Sequence, residues 1–241
     1  MNLESFRAQM EAEIQWRKEE IIFLDNIQRS LEKDEDRKKI RRSILCIIYA
    51  HIEGFIKFAF SLYVDEINKE KLTCSDVKPV IAAAAFHKEF NALKNEDKKS
   101  EIFKKELPDN SHLHRLSREI EFIERINEYY NYTISIPDEF LNTRSNVGKD
   151  VIEKLLFQVG LEYEDLKDIC PPLNRLLKAR NDIAHGNRKL GIEDKDYDAF
   201  MKCLDSVIKS ISRRIIKAYE KEEFRLIDKI TAASTGSSPP A

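Results

Sequence analysis

The sequence predicts an all-α protein, a helical bundle built on a long N-terminal helical hairpin with further helices inserted behind it. Three observations carry that prediction. Only 6 glycines and 7 prolines punctuate the 241 residues, too few for the turns that a sandwich or barrel requires. Apolar residues recur at helical spacing through several long segments. A hydrophobic content of 42%, with 13 Phe and 8 Tyr, is too rich for a disordered chain.

The elements follow in order. Residues 3–33 carry Phe6, Met10, Ile14, Ile21 and Leu24 among Glu, Lys and Arg, with no Gly or Pro between them, so they form a long amphipathic helix. The acidic cluster at 32–36 breaks it. A second long helix spans 37–68, and the short connection folds the two into an antiparallel hairpin. Ser75 or Asp76 caps a third helix with Pro79 in its first turn, running through IAAAAFHKEFNALK. A lysine-rich linker follows over 95–110. Leu113, Leu116, Ile120, Ile123 and Ile126 then mark a helix over 111–130, and NYTISIPDEF alternates briefly and reads as extended. Ser145 caps the next helix, which Gly160 ends from the C′ position. Pro171-Pro172 starts another, and the last runs over 194–228 with Met201, Leu204, Val207, Ile208, Ile211 and Ile215 inward. Residues 1–230 read as one domain and 231–241, TAASTGSSPPA, as a disordered tail.

Charge and hydropathy narrow the function classes. With 41 Lys plus Arg against 43 Asp plus Glu, the net charge is −2, so no global field recruits nucleic acid or membrane and a polyanion site must be a local patch. The stretch 44–64 has the length of a membrane span, but His51, Glu53 and Lys57 sit at its centre. Insertion would cost roughly 2.5–3.5 kcal/mol per charged residue there, so it reads as the buried central helix of the bundle. Cys46, Cys74, Cys170 and Cys203 form no C-x-x-C pair, and no His stands at zinc-finger spacing. The N-terminus is charged from its fourth residue and lacks an apolar signal core. The expectation is a cytoplasmic protein with free thiols, no membrane partner, no metal and no cofactor.

The local patch is LNRLLKARNDIAHGNRK, residues 173–189. Arg175, Lys178, Arg180, Arg188 and Lys189 face only Asp182 in opposition, so a phosphate would settle here. Leu173, Leu176, Leu177 and Ile183 hold this helix on the core and leave Arg180, Asn181 and His185 at its far end. Beside a phosphodiester, a guanidinium stabilises charge building on the phosphoryl oxygens while an imidazole moves protons to or from the 2′-hydroxyl or the leaving oxygen. Neither task needs a metal. At about 100° per residue, Arg180 and His185 lie roughly 140° apart, whereas Asn181 and His185 share a face. Convergence needs either fraying at Gly186 or a two-fold dimer that brings two copies of the motif together.

These residues resemble a known family. Arg180-Asn181-Asp182-Ile183-Ala184-His185 is similar to the R-x4-6-H signature of the HEPN superfamily, including the polar residue after the Arg. Tyr49-Ala50-His51-Ile52-Glu53-Gly54-Phe55-Ile56-Lys57 resembles the first core helix of a prokaryotic, stand-alone HEPN group, the MAE-like one, and TRSNVGKDVIEKLLFQVGL at 143–161 is also similar to that group. The resemblance implies a HEPN-like bundle that dimerises around a composite cleft and cleaves RNA without a metal, leaving cyclic-phosphate and 5′-hydroxyl ends. It further implies service as a toxin or antiphage effector, with a regulatory partner such as an antitoxin. In one toxin branch a Tyr two residues after the His is modified by a partner nucleotidyltransferase; here that position is Asn187.

On this reading Arg180 stabilises charge, His185 transfers protons or positions substrate, Asn181 orients and Glu53 supports. Lys178, Arg188, Lys189 and Asp182 complete the substrate contacts. Each has a plainer alternative. Arg180 and His185 suit the C-terminal end of any helix dipole, Glu53 can pair with Lys57 one turn on, and Asp182 suits a solvated face. His51 points away from Glu53 and reads as a core or interface histidine. The i, i+2 spacing of His112 and His114 does not suit a helical metal pair. Tyr129, Tyr130 and Tyr132 suit a packed helix end as well as base stacking. Two rival functions stay open: a non-catalytic helical module binding RNA or a partner protein, and a metal-assisted nuclease, for which carboxylates are sparse near the motif.

Overall fold

The computed structural model describes residues 3–95, 111–141, 146–164, 166, 169–187 and 189–226. Among these, nine α-helices and no strand are found. The two N-terminal helices, α1 (Leu3–Ser30) and α2 (Asp34–Lys69), form the expected antiparallel hairpin. Gln28 meets Arg41 near the turn, and Arg17 lies against Gly54 farther along. The break falls at residues 31–33 and takes in only the start of the predicted cluster at 32–36: Asp34, Glu35 and Asp36 form the first turn of α2, where they complement the partial positive charge of the helix N-terminus.

At 36 residues α2 is about 54 Å long and serves as the spine of the bundle. Ile44, Ile48, Ile52, Phe55, Ile56, Phe60 and Tyr63 are almost fully buried beneath α1, α8 (Cys170–Ala184) and α9 (Asp194–Glu220). This is the one described helix long and apolar enough to cross a membrane, and 56% of its apolar window is buried within the bundle. That burial is what the charges at its centre predict for a core helix.

In α9, Leu204, Val207, Ile208, Ile211 and Ile215 face inward as predicted, and Met201 is partly buried against them. The helix stops at Glu220, short of the predicted end. Glu222 takes a left-handed φ of 49°, and Phe224 turns back to meet the Tyr63 ring at 6.3 Å. Its carbonyl accepts a hydrogen bond from the Lys78 amide. Aromatic burial therefore wins over continued helix.

Two predicted helices are divided. The third becomes α3 (Pro79–Ala85) and α4 (His87–Lys94), split at Phe86, whose ring packs on Tyr129 and Tyr132. Neither Ser75 nor Asp76 caps it. The Asp76 carboxylate instead accepts bonds from the Thr73 amide and hydroxyl at 2.8 and 2.7 Å. The next divides at Arg125 into α5 (Ser111–Glu124) and α6 (Ile126–Tyr130). The extended reading of the following segment holds as an isolated bridge between Thr73 and Thr133, with Ile134 and Ile136 buried and Thr133 and Ser135 exposed. Then α7 (Lys149–Gln158) starts from Gly148, its first amide bonded by the Asn174 side chain of α8. Gly160 closes it at φ +71°, where a Cβ would lie 2.7 Å from Val80. The predicted Ser145 cap, most of the 95–110 linker, the tail at 231–241 and Arg188 lie outside the described residues.

Candidate active site

Helix α8 begins with Pro171 and Pro172 in its first turn, where a missing amide costs nothing. Leu173 and Leu176 are fully buried, and Leu177 and Ile183 pack partly against the core. This anchors the helix by one stripe and presents its last turn at the surface. The helix does not fray at Gly186. His185 is the C-cap, its amide bonded to the Asn181 carbonyl at 2.9 Å, and Gly186 follows at φ +74° with its amide on the Ile183 carbonyl. A left-handed glycine thus ends α8 cleanly. His185 keeps its helical azimuth, with the imidazole exposed.

Arg180 is held from three sides. Its Nη1 donates to Asn181 Oδ1 at 3.0 Å and approaches Asn146 Oδ1 at 3.5 Å. Its guanidinium carbon lies 5.0 Å from the centre of the Tyr49 ring, a cation–π contact against a side chain only 1% exposed. Asn146 reaches this position with a φ of 124°, a backbone conformation that costs energy for any non-glycine residue. The guanidinium itself stays half-buried, so its remaining donors are within reach of a ligand.

The floor of the site is one face of α2. Arg42, Cys46, Tyr49 and Glu53 follow one another at spacings of four, three and four, which places them on one helical stripe. Arg42 donates from Nη1 to the Lys189 carbonyl at 3.1 Å, tying the chain after α8 back to the spine. Gly191 reinforces the tie. A Cβ there would stand 2.9 Å from the Lys38 backbone, and the next amide, that of Ile192, bonds the Lys38 carbonyl at 3.0 Å. Burial pushes the Tyr49 phenol up to about 12, with the Glu53 carboxylate adding to the shift. The phenol is therefore neutral at physiological pH, and its oxygen is buried without a hydrogen bond of normal geometry among the described residues. Burial also raises the Cys46 thiol, against the pull of Arg180 and Arg42, which leaves it protonated and unreactive.

The structure brings Arg180, Asn181 and His185 to one helix end with Lys178 and Lys189 exposed nearby. Asp182 is half-buried and makes no hydrogen bond to His185 among the described residues. Glu53 lies within electrostatic range of Tyr49, yet among the described residues it forms no ion pair with Lys57 and no hydrogen bond with Arg180 or His185. His51 faces the other way, buried between the hairpin helices with Nε2 3.0 Å from Glu20 and its ring against Trp16. His114 is buried, and the described residues contain no cluster of three or more potential metal ligands. Tyr129 packs on Phe86 and Phe122, whereas Tyr130 and Tyr132 are exposed.

Sequence reasoning did not single out Tyr49, Asn146 or Arg42. Tyr49 carried a usable signal, since it precedes Glu53 by one turn and shares its face. Asn146 carried none, because its contact depends on a loop conformation that spacing does not encode. No curated protein and no solved structure matches the chain. A family profile described as RiboL-PSP-HEPN matches residues 12–220, a span that begins within α1 and includes the Tyr49 face of α2, Asn146 and the whole Arg180–His185 segment. The chain therefore belongs to the RiboL-PSP-HEPN family.

Proposed function

We propose that this protein is a metal-independent endoribonuclease of the HEPN type. The 2′-hydroxyl of the substrate attacks the adjacent phosphorus and the 5′-oxygen of the next nucleotide leaves. The products carry a 2′,3′-cyclic phosphate and a 5′-hydroxyl. His185 moves the proton from the attacking hydroxyl or to the leaving oxygen. Arg180 neutralises charge on the non-bridging oxygens, and Asn181, bonded to Arg180 at 3.0 Å, fixes its orientation. Glu53 supports the Tyr49 side of the site, while Lys178, Lys189 and Arg188 attract the RNA backbone beside Asp182.

The observation that carries this reading is the clasp of Arg180 between Tyr49, Asn146 and Asn181. A residue needed only to cap a helix end requires no ring beneath it and no strained loop beside it. Because α8 ends without fraying, the divergence between Arg180 and His185 is met by a two-fold homodimer in which the motif of a second copy faces the first. A toxin or antiphage effector role, held in check by a regulatory partner protein, follows from such an activity. Growth arrest on expression that requires both Arg180 and His185 tests it.

The enzymatic test is incubation of the wild-type chain, Arg180→Ala and His185→Ala with total RNA in EDTA, with product ends mapped by sequencing. Cyclic-phosphate ends from the wild type alone are expected. Cleavage that survives both substitutions would refute the assignment. One observation favours a non-catalytic RNA-binding or adaptor module instead: Arg180 has partners within its own chain and, among the described residues, none of them is His185. Protection of RNA without strand scission decides for that reading.

A further inference from the structure

The first half of α2 carries Arg37, Lys38, Lys39, Arg41 and Arg42, and all but the last are neutralised. Arg37 and Lys38 pair with Asp34, Lys38 also with Glu193, Lys39 with Asp36 and Arg41 with Asp194. Arg42 meets no carboxylate among the described residues. Its hydrogen bond there goes to the Lys189 carbonyl at 3.1 Å, and its Nε is buried without an acceptor. A guanidinium offers several donors in a planar fork, and tying down one carbonyl needs neither the fork nor the charge.

The unpaired charge has a neighbour of the same kind. Arg180 rests on Tyr49, seven residues along α2 from Arg42, so at 1.5 Å per residue the two cationic positions are about 10 Å apart along the helix. Cys46 lies between them on the same stripe, and its thiol feels both guanidinia. No carboxylate stands on the stripe between residues 42 and 49. Like Arg42, Arg180 forms no ion pair among the described residues, and neither do Lys178 and Lys189, exposed nearby. Half-buried cations that share a surface without an acid repel one another, and the flank of a protein screens that repulsion less than water does. An anion with charges at both positions relieves it. A lone phosphate fills one position only, whereas a nucleic-acid strand carries one charge per nucleotide. At roughly 3.4 Å of rise each, stacked nucleotides cover the gap in three steps, and extended ones in fewer.

We propose that Arg42 holds a second phosphate of the RNA, two or three nucleotides from the one at Arg180, so that the strand lies along α2 from Tyr49 toward Arg42. The inference rests on RNA occupying the Arg180 site and adds the course of the strand across it.

The test is the salt dependence of binding to a fluorescent single-stranded RNA with 2′-O-methyl groups throughout. Such a probe has no attacking hydroxyl, so binding is read whether or not the protein cleaves. Arg42→Ala should bind about 3- to 30-fold more weakly at low salt, with the slope of log K against log salt smaller by about 0.7, the share of one phosphate contact on a single strand. Arg42→Lys should keep the wild-type slope. Arg42→Ala combined with Arg180→Ala should lose about twice the slope that either loses alone, because the two contacts are to separate phosphates. Should the alanine variant unfold by circular dichroism, Arg42→Gln removes the charge and leaves a donor for the Lys189 carbonyl. An unchanged slope in the uncharged variant would overturn the proposal whatever the loss of affinity, since Arg42 would then serve only as the tie to Lys189. A lysine variant with the slope of the uncharged one, a double variant no different from Arg180→Ala, or a wild type that does not bind would overturn it too. Cleavage of unmodified RNA is read separately: a full set of slope changes without cleavage would support the contact and refute the nuclease reading.

Discussion

Replacing Tyr49 separates the two things that its side chain does. The ring supports the Arg180 guanidinium at 5.0 Å, while the hydroxyl is buried without a well-formed hydrogen bond among the described residues. A cation over an aromatic ring contributes about 0.5–2 kcal/mol, the upper end applying where the pair is desolvated. If that support is realised in the transition state, Tyr49→Leu lowers kcat for RNA cleavage by roughly 2- to 30-fold, at about 1.4 kcal/mol per decade. Tyr49→Phe keeps the ring and should hold kcat within about 2-fold. Stability also separates the two variants. Leucine leaves a cavity in the core and costs about 1–3 kcal/mol, whereas phenylalanine keeps the ring and loses only the hydroxyl beside Val147 and Glu53, which should change stability by less than about 1 kcal/mol. Single-turnover cleavage and urea unfolding measured on both variants check all four numbers. Equal loss of activity in the two variants would refute the reasoning, because it would assign the work to the hydroxyl. Full activity in Tyr49→Leu would refute it too.

Gly191→Ala forces a Cβ against the Lys38 backbone and should destabilise the protein by about 1–3 kcal/mol, read as a lower urea midpoint with the same slope. An unchanged midpoint would show that the segment after α8 is not packed as described. The third prediction concerns His51, whose pKa burial depresses below the ordinary 6.5 despite the Glu20 carboxylate beside it. The unfolded chain then binds more protons at this site than the native one, so stability falls as pH drops through and below 6.5. The His51 share of that loss should disappear in His51→Gln, measured as the difference in unfolding free energy between pH 7 and pH 5 for the two proteins.

The hairpin, the spine and α8 were legible because each is set by local spacing: an apolar stripe, a proline start, a glycine stop. Gly160 and Gly186 both take the left-handed conformation that their positions after a periodic run imply. What spacing could not supply was the rotation of one helix against another. The sequence shows that Arg180 ends a helix, but the ring it rests on is fixed by how α8 lies along α2. The same limit explains Glu53, which shares a stripe of α2 with Tyr49 yet is bonded to neither Arg180 nor His185. For α5 the periodicity was right and its usual meaning was not. Leu116, Ile120 and Ile123 mark a helix, but the face that they define looks outward. Capping chemistry at Asp76 was misplaced for a simpler reason, since Thr73 offers its carboxylate two donors closer at hand.

The tie between α2 and α8 joins parts of the chain about 130 residues apart in sequence. On the ribosome, Tyr49 and Glu53 emerge early and can pack at once within the α1–α2 hairpin, whose contacts are local. Arg180 and His185 emerge late, and α9, which covers α2 as well, later still. Closing so long a loop is slow and entropically costly until the distant partners exist. A truncated or nascent chain therefore carries the floor of the site without its guanidinium. The guanidinium joins the Tyr49 face only after the chain has been extended through α8.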